Sequence, residues 1–261
     1  MGGRNLCGRI ASELMKGFMP ILVLALLAGL LLPGGAAAAV ADSPEWSGAA
    51  DQAKERAGEN VLGRYIQASG SRVAKGVAMG AMFAASLPKM GKAATVSARR
   101  FITRDGSVNY EITDRRGDST VWKELILRYI NGEMENAGKD HSNVAVTPAN
   151  YKFKYKGERE FEGRLAHVFE VTPRKKRQGL FKGEVWIDSE TALTVYETGR
   201  FVKSPSVFLK KVEFRREYAI LDGVAVPKTL QTTIETRFWG PAQLDIQFSD
   251  FHWEDPFLAL N

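Results

Sequence analysis

The chain has 261 residues, of which 44% are hydrophobic and 25% charged, a balance typical of globular proteins and too apolar for a disordered chain. Its formal charge is +6, yet the basic residues are spread along the chain rather than gathered. That argues against nucleic acid as a partner. The one cysteine, Cys7, precedes the first apolar run, so the chain beyond that run has no thiol for disulfides or thiolate metal sites.

That run, GFMPILVLALLAGLLL over 17–32, is short of the ~20 residues that span a bilayer. Behind it PGGAAAAVAD offers a small-x-small site at Ala39, Val40 and Ala41, so residues 1–41 read as a secretory signal peptide cleaved before Asp42. An uncleaved anchor is the alternative, disfavoured by the run's length, Pro20 and the Ala-rich exit. The 14 residues before Met15-Lys16 are long for an n-region, so translation starts at Met1 or at Met15. The signal implies a bacterial periplasm, and 42–261 form one domain.

Residues 50–68 carry Val61, Leu62, Tyr65 and Ile66 as an apolar stripe at helical spacing. The next segment, SRVAKGVAMGAMFAAS over 71–86, reads as a second helix rich in small residues, with Gly76, Gly80 and Ala84 four apart and Leu87-Pro88 ending it. From about residue 94 the texture becomes β-branched and aromatic, broken by turn dipeptides. The expected strands are 95–103, 107–114, 119–130, 151–156, 164–172, 180–188, 192–201, 207–221, 224–238 and 242–253. Turn signals lie between them at Asp105-Gly106, Arg116-Gly117-Asp118, Gly157, Asp222-Gly223 and Gly240-Pro241. The tripeptide Arg116-Gly117-Asp118 reads as a hairpin turn with an aspartate side-chain cap, in preference to an adhesion motif. The basic run PRKKR at 173–177 reads as a solvated loop, with contact to anionic lipid headgroups as the alternative.

Alternation is clearest in the late strands. Phe208, Val212, Phe214, Tyr218 and Ile220 share one face, while Lys211, Glu213, Arg215 and Glu217 turn to water; Leu230, Ile234 and Phe238, then Leu244, Ile246 and Phe248, continue the apolar face. Such a sheet must curl around its helices or close, which gives a mainly β (α+β) fold: a curled antiparallel sheet or half-open β-barrel of about ten strands, with the N-terminal helices as a lid over an apolar cavity.

The run FKGEVWIDSETALTVYETG, followed by a long strand ending in Tyr218-x-x-x-Asp222-Gly223 and the proline-bearing strand VAVPKTL, resembles the periplasmic lipoprotein-carrier superfamily of LolA, LolB and RseB. The resemblance covers mainly 95–250 and rests on structural motifs. It implies a half-open barrel with helices over a hydrophobic cavity, and proteins that carry acyl chains or lipoproteins across the periplasm, or sense envelope stress by binding lipid and protein partners. The carriers' cavity arginine corresponds to Arg99 or Arg100, and spacing does not choose between them.

Chemistry-bearing constellations are sparse. His141, His167 and His252 are isolated, with no metal-ligand spacing, and no nucleophile elbow, phosphate loop or dinucleotide fingerprint occurs. A triad assembled from distant strands stays open, since triads are defined by geometry. The acids Glu184, Asp188 and Glu190 read as one strand position and two turn positions of a hairpin. Trp122, Trp186, Trp239 and Trp253 read equally as cavity wall or ordinary core.

The sequence therefore points to a monomer that binds a lipid or the acyl chain of a lipoprotein, without cofactor or covalent chemistry, in a cavity lined by Phe214, Leu230, Ile234, Phe238, Leu244, Ile246 and Phe248. The alternative is a regulatory module of the same fold that docks an inner- or outer-membrane protein, with a hydrolase third.

Overall fold

The computed structural model describes residues 47–71, 74–204, 209–237 and 240–253. The signal peptide expected over 1–41, its cleavage site, and Phe208, Phe238 and Trp239 lie outside the described residues.

Helix α1 (Ser47–Ser71) contains the expected 50–68 segment. Its stripe behaves as the spacing requires: Val61 and Tyr65 are buried, while Leu62 and Ile66 pack partly buried against the core. The helix lies against β4 (Tyr151–Phe161), with Gly58 on the Tyr155 ring.

The second expected helix is a strand, β1 (Val77–Leu87). Val77, Met79, Ala81, Phe83, Ala85 and Leu87 are all buried, and the residues between them are more open. The period is therefore two; alanine's helix propensity hid it, because small residues look alike at either period. The small outward residues suit a central strand, since β1 pairs with β2 (Lys92–Ile102) on one side and β10 (Pro241–Trp253) on the other.

The opposite correction applies to 119–130. After β3 (Val108–Gly117), a short helix α2 (Ser119–Val121), a π-helical stretch (Trp122–Leu127) and α3 (Arg128–Asn136) follow one another. Gly117, at φ 93°, ends β3, and the Asp118 carboxylate accepts from the backbone N–H of Thr120 (2.8 Å) and Val121 (3.0 Å). Arg116-Gly117-Asp118 is thus a strand end and a helix N-cap, with the aspartate capping as expected but no hairpin. Trp122, Leu125, Ile126, Tyr129, Ile130 and Glu133, spaced by three and four, form the buried stripe.

The remaining strands follow the sequence closely: β5 (Arg164–Pro173), β6 (Phe181–Asp188), β7 (Thr194–Phe201), β8 (Leu209–Leu221) and β9 (Val224–Thr236). Ten strands form one antiparallel sheet in the order β3-β2-β1-β10-β9-β8-β7-β6-β5-β4, so the sheet is open with β3 and β4 at its edges. The chain passes between those edges through α2, the π-helical stretch and α3. A single core fills the inner face, drawing on α1, the 119–136 helical segment and all ten strands. Both edges carry charges, among them Glu111, Arg115 and Arg116 on β3 and Lys152, Lys154 and Lys156 on β4, which discourages further strands from pairing there.

Candidate functional site: a polar cluster inside an apolar sheet face

The structure places Phe214, Leu230, Ile234, Leu244, Ile246 and Phe248 together on the inner face, each buried in the core. Register explains their convergence: Leu230 pairs with Ile246, Thr232 with Leu244 and Phe214 with Thr232, so residues of equal parity on β8, β9 and β10 point inward together. Phe214 packs edge-on against Phe181 at 4.9 Å and, with the rings tilted by 36°, against Phe201 at 5.2 Å.

Four charged side chains share this interior. On β2, parity separates the two candidate arginines: Arg99 is exposed and faces Glu111 at 3.6 Å, whereas Arg100 points inward and is 1% exposed. Arg100 Nη2 donates to Glu133 Oε1 on α3 at 2.5 Å, and its guanidinium lies 5.5 Å from the Phe248 ring centroid. The Tyr110 hydroxyl donates to the other Glu133 oxygen. Burial by itself would lower the Arg100 pKa, and the Glu133 carboxylate more than reverses that, so the guanidinium stays charged.

A second buried pair joins β8 to β7. Arg216 Nη1 donates to Glu197 Oε2 at 3.2 Å, the Tyr218 hydroxyl donates to the same oxygen at 3.1 Å, and the guanidinium lies 4.3 Å from the Phe214 centroid. Burial raises the Glu197 carboxyl above its ordinary value, against the opposing pull of Arg216 and Tyr218.

Tyr129, on α3, lies between the pairs and feels Glu133 and Arg100 from one, Arg216 and Tyr218 from the other; burial, then Glu133, pushes its phenol well up. Its hydroxyl is buried without a hydrogen-bond partner among the described residues, as is the hydroxyl of Thr232. Each such group forfeits about 1–3 kcal/mol relative to a satisfied one. The arrangement can donate hydrogen bonds to an oxygen acceptor while apolar side chains take up whatever carries it.

Sequence reasoning left out Glu197, Arg216, Tyr129, Glu133 and Thr232. Parity could have supplied three of them: Arg216 has the parity of Val212 and Phe214, Thr232 that of Leu230 and Ile234, and Glu197 that of Val195 and Gly199 just ahead of Phe201. Tyr129 and Glu133 were out of reach once 119–130 was read as a strand.

The other candidates serve structure. Asp188 accepts from Thr191 N (2.8 Å), Thr191 Oγ1 (2.7 Å) and Arg164 Nε (2.8 Å), pinning the hairpin turn; Glu190 is exposed at its tip, and Glu184 accepts from the Trp186 indole at 3.0 Å. His141 Nε2 lies 3.0 Å from the Asn136 carbonyl, His167 Nδ1 lies 2.9 Å from the Tyr155 hydroxyl, and His252 is exposed. Among the described residues no three His, Cys, Asp or Glu side chains gather as a metal would require. Trp122 is core, Trp186 packs with Phe161 and Tyr196 on the outer face, and Trp253 donates to Asp222 at a sheet end.

No protein-family model matches the sequence, and no curated protein matches it. Several solved structures are similar. A LolA superfamily protein from Nitrosomonas europaea is 10% identical, with 78% of this chain and 96% of that one covered, at a TM-score of 0.40. An outer membrane lipoprotein-sorting protein domain from Vibrio parahaemolyticus is 12% identical, with 76% and 94% covered, at 0.39. The Pseudomonas aeruginosa MucA/MucB complex contains a chain 14% identical, with 75% and 98% covered, at 0.27.

Proposed function

We propose that this chain is a periplasmic binding protein that holds a lipid, or the acyl chain of a lipoprotein, between the inner face of its sheet and the helices that cover it, without covalent chemistry. The observation that carries this reading is the pair of buried hydroxyls on Tyr129 and Thr232, without partners among the described residues, set in an apolar interior beside two ion pairs. An ester or amide carbonyl at the head of an acyl chain would accept from them. Each methylene taken from water then contributes ~0.8 kcal/mol. Helices cover the inner face, and helices can swing away without breaking a strand ladder; the π-helical stretch Trp122–Leu127 adds an irregular turn of the kind found at functional sites.

Protein exported to the periplasm should carry lipid in native mass spectra, release it on solvent extraction, and take up fluorescent acyl probes once stripped. Stripped protein that is stable yet takes up no probe would sink the proposal. Entry past α1 can be tested with a disulfide between Gly58→Cys and Tyr155→Cys: a Cβ at position 58 would sit 2.8 Å from that of Tyr155, so the helix must ease outward by about 1 Å to reach the ~3.8 Å of a disulfide. Uptake should fall when the bridge is oxidised and return on reduction.

A second reading rests on the depth of burial: the six described lining residues are already covered by the chain's own helices and neighbours. In that case the interior is filled, and the module acts by docking a membrane protein or regulator. Probe uptake separates the two.

A further inference from the structure

The opposite face of the sheet carries its own concavity. A trough of about 870 Å³ crosses β5 to β10 on the outward side, within the size range of small-molecule sites. Its lining is polar, and three cations stand in it: Lys182 on β6, Arg200 on β7 and Arg215 on β8.

Lys182 and Arg200 are directly opposed across the β6–β7 ladder, where like charges repel, and Arg215 faces Thr198 on the β7–β8 ladder. The residues that follow Lys182 and precede Arg200 are the opposed glycines Gly183 and Gly199. A Cβ on Gly199 would come within 2.6 Å of the Lys182 carbonyl oxygen, and one on Gly183 would fall on the Thr198 carbonyl oxygen. The ladder is thus drawn tight where the cations meet, and the glycine backbones form part of the trough floor.

Four acids also line the trough, Glu213 directly opposite Arg200 on the β7–β8 ladder, but each is engaged elsewhere or shifted toward neutrality. Glu213 is turned to Lys211 at 2.7 Å, Glu184 to the Trp186 indole at 3.0 Å and Glu170 to Lys156 at 3.5 Å. Asp245, at the far end, is shifted by burial toward its neutral form. Around the cations stand neutral hydrogen-bonding groups, Thr198, Gln231 and Thr233.

We propose that this trough binds a soluble phosphorylated small molecule, its phosphate oxygens shared by Lys182, Arg200 and Arg215 and its polar remainder lying over Gln231 and Thr233. Guanidinium groups match phosphate oxygens in paired hydrogen bonds, and a dianion between Lys182 and Arg200 turns their repulsion into attraction. The site lies on the opposite face from the interior of the previous subsection and does not depend on it.

Pyrophosphate is the probe, titrated calorimetrically into the full exported chain at low salt, with inorganic phosphate and vesicles containing one-third anionic phospholipid as parallel arms. Pyrophosphate should bind, more tightly than phosphate, and weaken as salt rises. The exposed-residue double variant K182Q/R200Q should lose at least tenfold in affinity while unfolding at about the same temperature, since it removes the Lys182–Arg200 repulsion together with the Arg200–Glu213 attraction across the next ladder. Backbone amide shifts on titration should centre on Gly183 and Gly199. The proposal is overturned if the double variant binds as the parent does, if the shifts lie elsewhere, or if only vesicles bind.

Discussion

The two buried ion pairs share chemistry and differ in what they join. Arg216 and Glu197 sit on adjacent strands, β8 and β7, whose backbone ladder already fixes their separation, and Tyr218 of β8 supplies a further hydrogen bond. Arg100 and Glu133 belong to β2 and α3, which share no ladder. The first pair decorates a wall; the second fastens the cover to it. A buried pair of this kind contributes little net stability compared with apolar residues of the same shape, whereas breaking it strands a charge. What it does contribute is a defined position, and for α3 that position places Tyr129 against the inner face.

Breaking the fastener should have the largest effect. Glu133→Ala leaves the Arg100 guanidinium buried without its carboxylate and removes the acceptor for Tyr110, at a cost of about 3–5 kcal/mol in the denaturant midpoint. The comparison is sharpened by hydrogen exchange, which should speed up from Trp122 to Asn136 while the β7–β8 amides stay protected. Equal loss of protection in both places would mean that the pair holds the whole core and not the cover. A charge-free replacement, Arg100→Met with Glu133→Leu, should recover most of the stability and leave the helical segment protected.

The difference between the pairs also marks what the sequence could reveal. Late strands announce themselves because alternation there is uninterrupted: Val212, Phe214, Leu230, Ile234, Leu244 and Ile246 all fall on the inner face by parity. Arg216 and Glu197 obey the same parity and were concealed only by their charge. The Arg100–Glu133 pair depends on a helix between β3 and β4 that a run of valine, tryptophan, isoleucine and leucine disguised as a strand, until Asp118 caps it and a stripe spaced by three and four appears. At β1 the error ran the other way. Ala and Gly satisfy both periods, and only pairing with β2 and with β10, the latter distant in sequence, decides between them. Local pattern therefore suffices where bulky apolar and polar residues alternate, and fails at β1, whose small residues suit either period, and in the helical segment between β3 and β4, whose apolar run imitates a strand.

The wall pair should respond less to substitution. Glu197→Gln keeps an oxygen acceptor for Tyr218 and Arg216 but buries an amide NH2 beside the guanidinium, so the expected loss is about 1–3 kcal/mol, with no change in exchange over Trp122–Asn136. Its pH dependence has a definite sign. Burial raises the folded-state Glu197 carboxyl above its ordinary 4.5, so this group's contribution is full below that value and is lost as pH rises through the raised one. The stability of the parent relative to Glu197→Gln should fall over that interval. A parent that gains on the variant as pH rises would show that Arg216 outweighs burial.

Asp188 supplies the control and the smallest effect. It too is a buried acid beside an arginine, but its Arg164 partner is 41% exposed and can return to water when the carboxylate is removed. Asp188→Ala should therefore cost about 1–2 kcal/mol, chiefly the lost bonds to Thr191. Burial would raise this carboxyl, yet the hydrogen bonds from Arg164 and Thr191 outweigh it and hold its pKa below the ordinary range. The sign is then opposite to that of Glu197: the contribution is present above the unfolded value and disappears as pH falls through the depressed folded one. Urea midpoints of the parent, Asp188→Ala and Glu197→Gln between pH 3 and 7 should thus diverge in opposite directions. Parallel curves would show that exposure of the arginine, on which the contrast rests, does not govern how these acids are held.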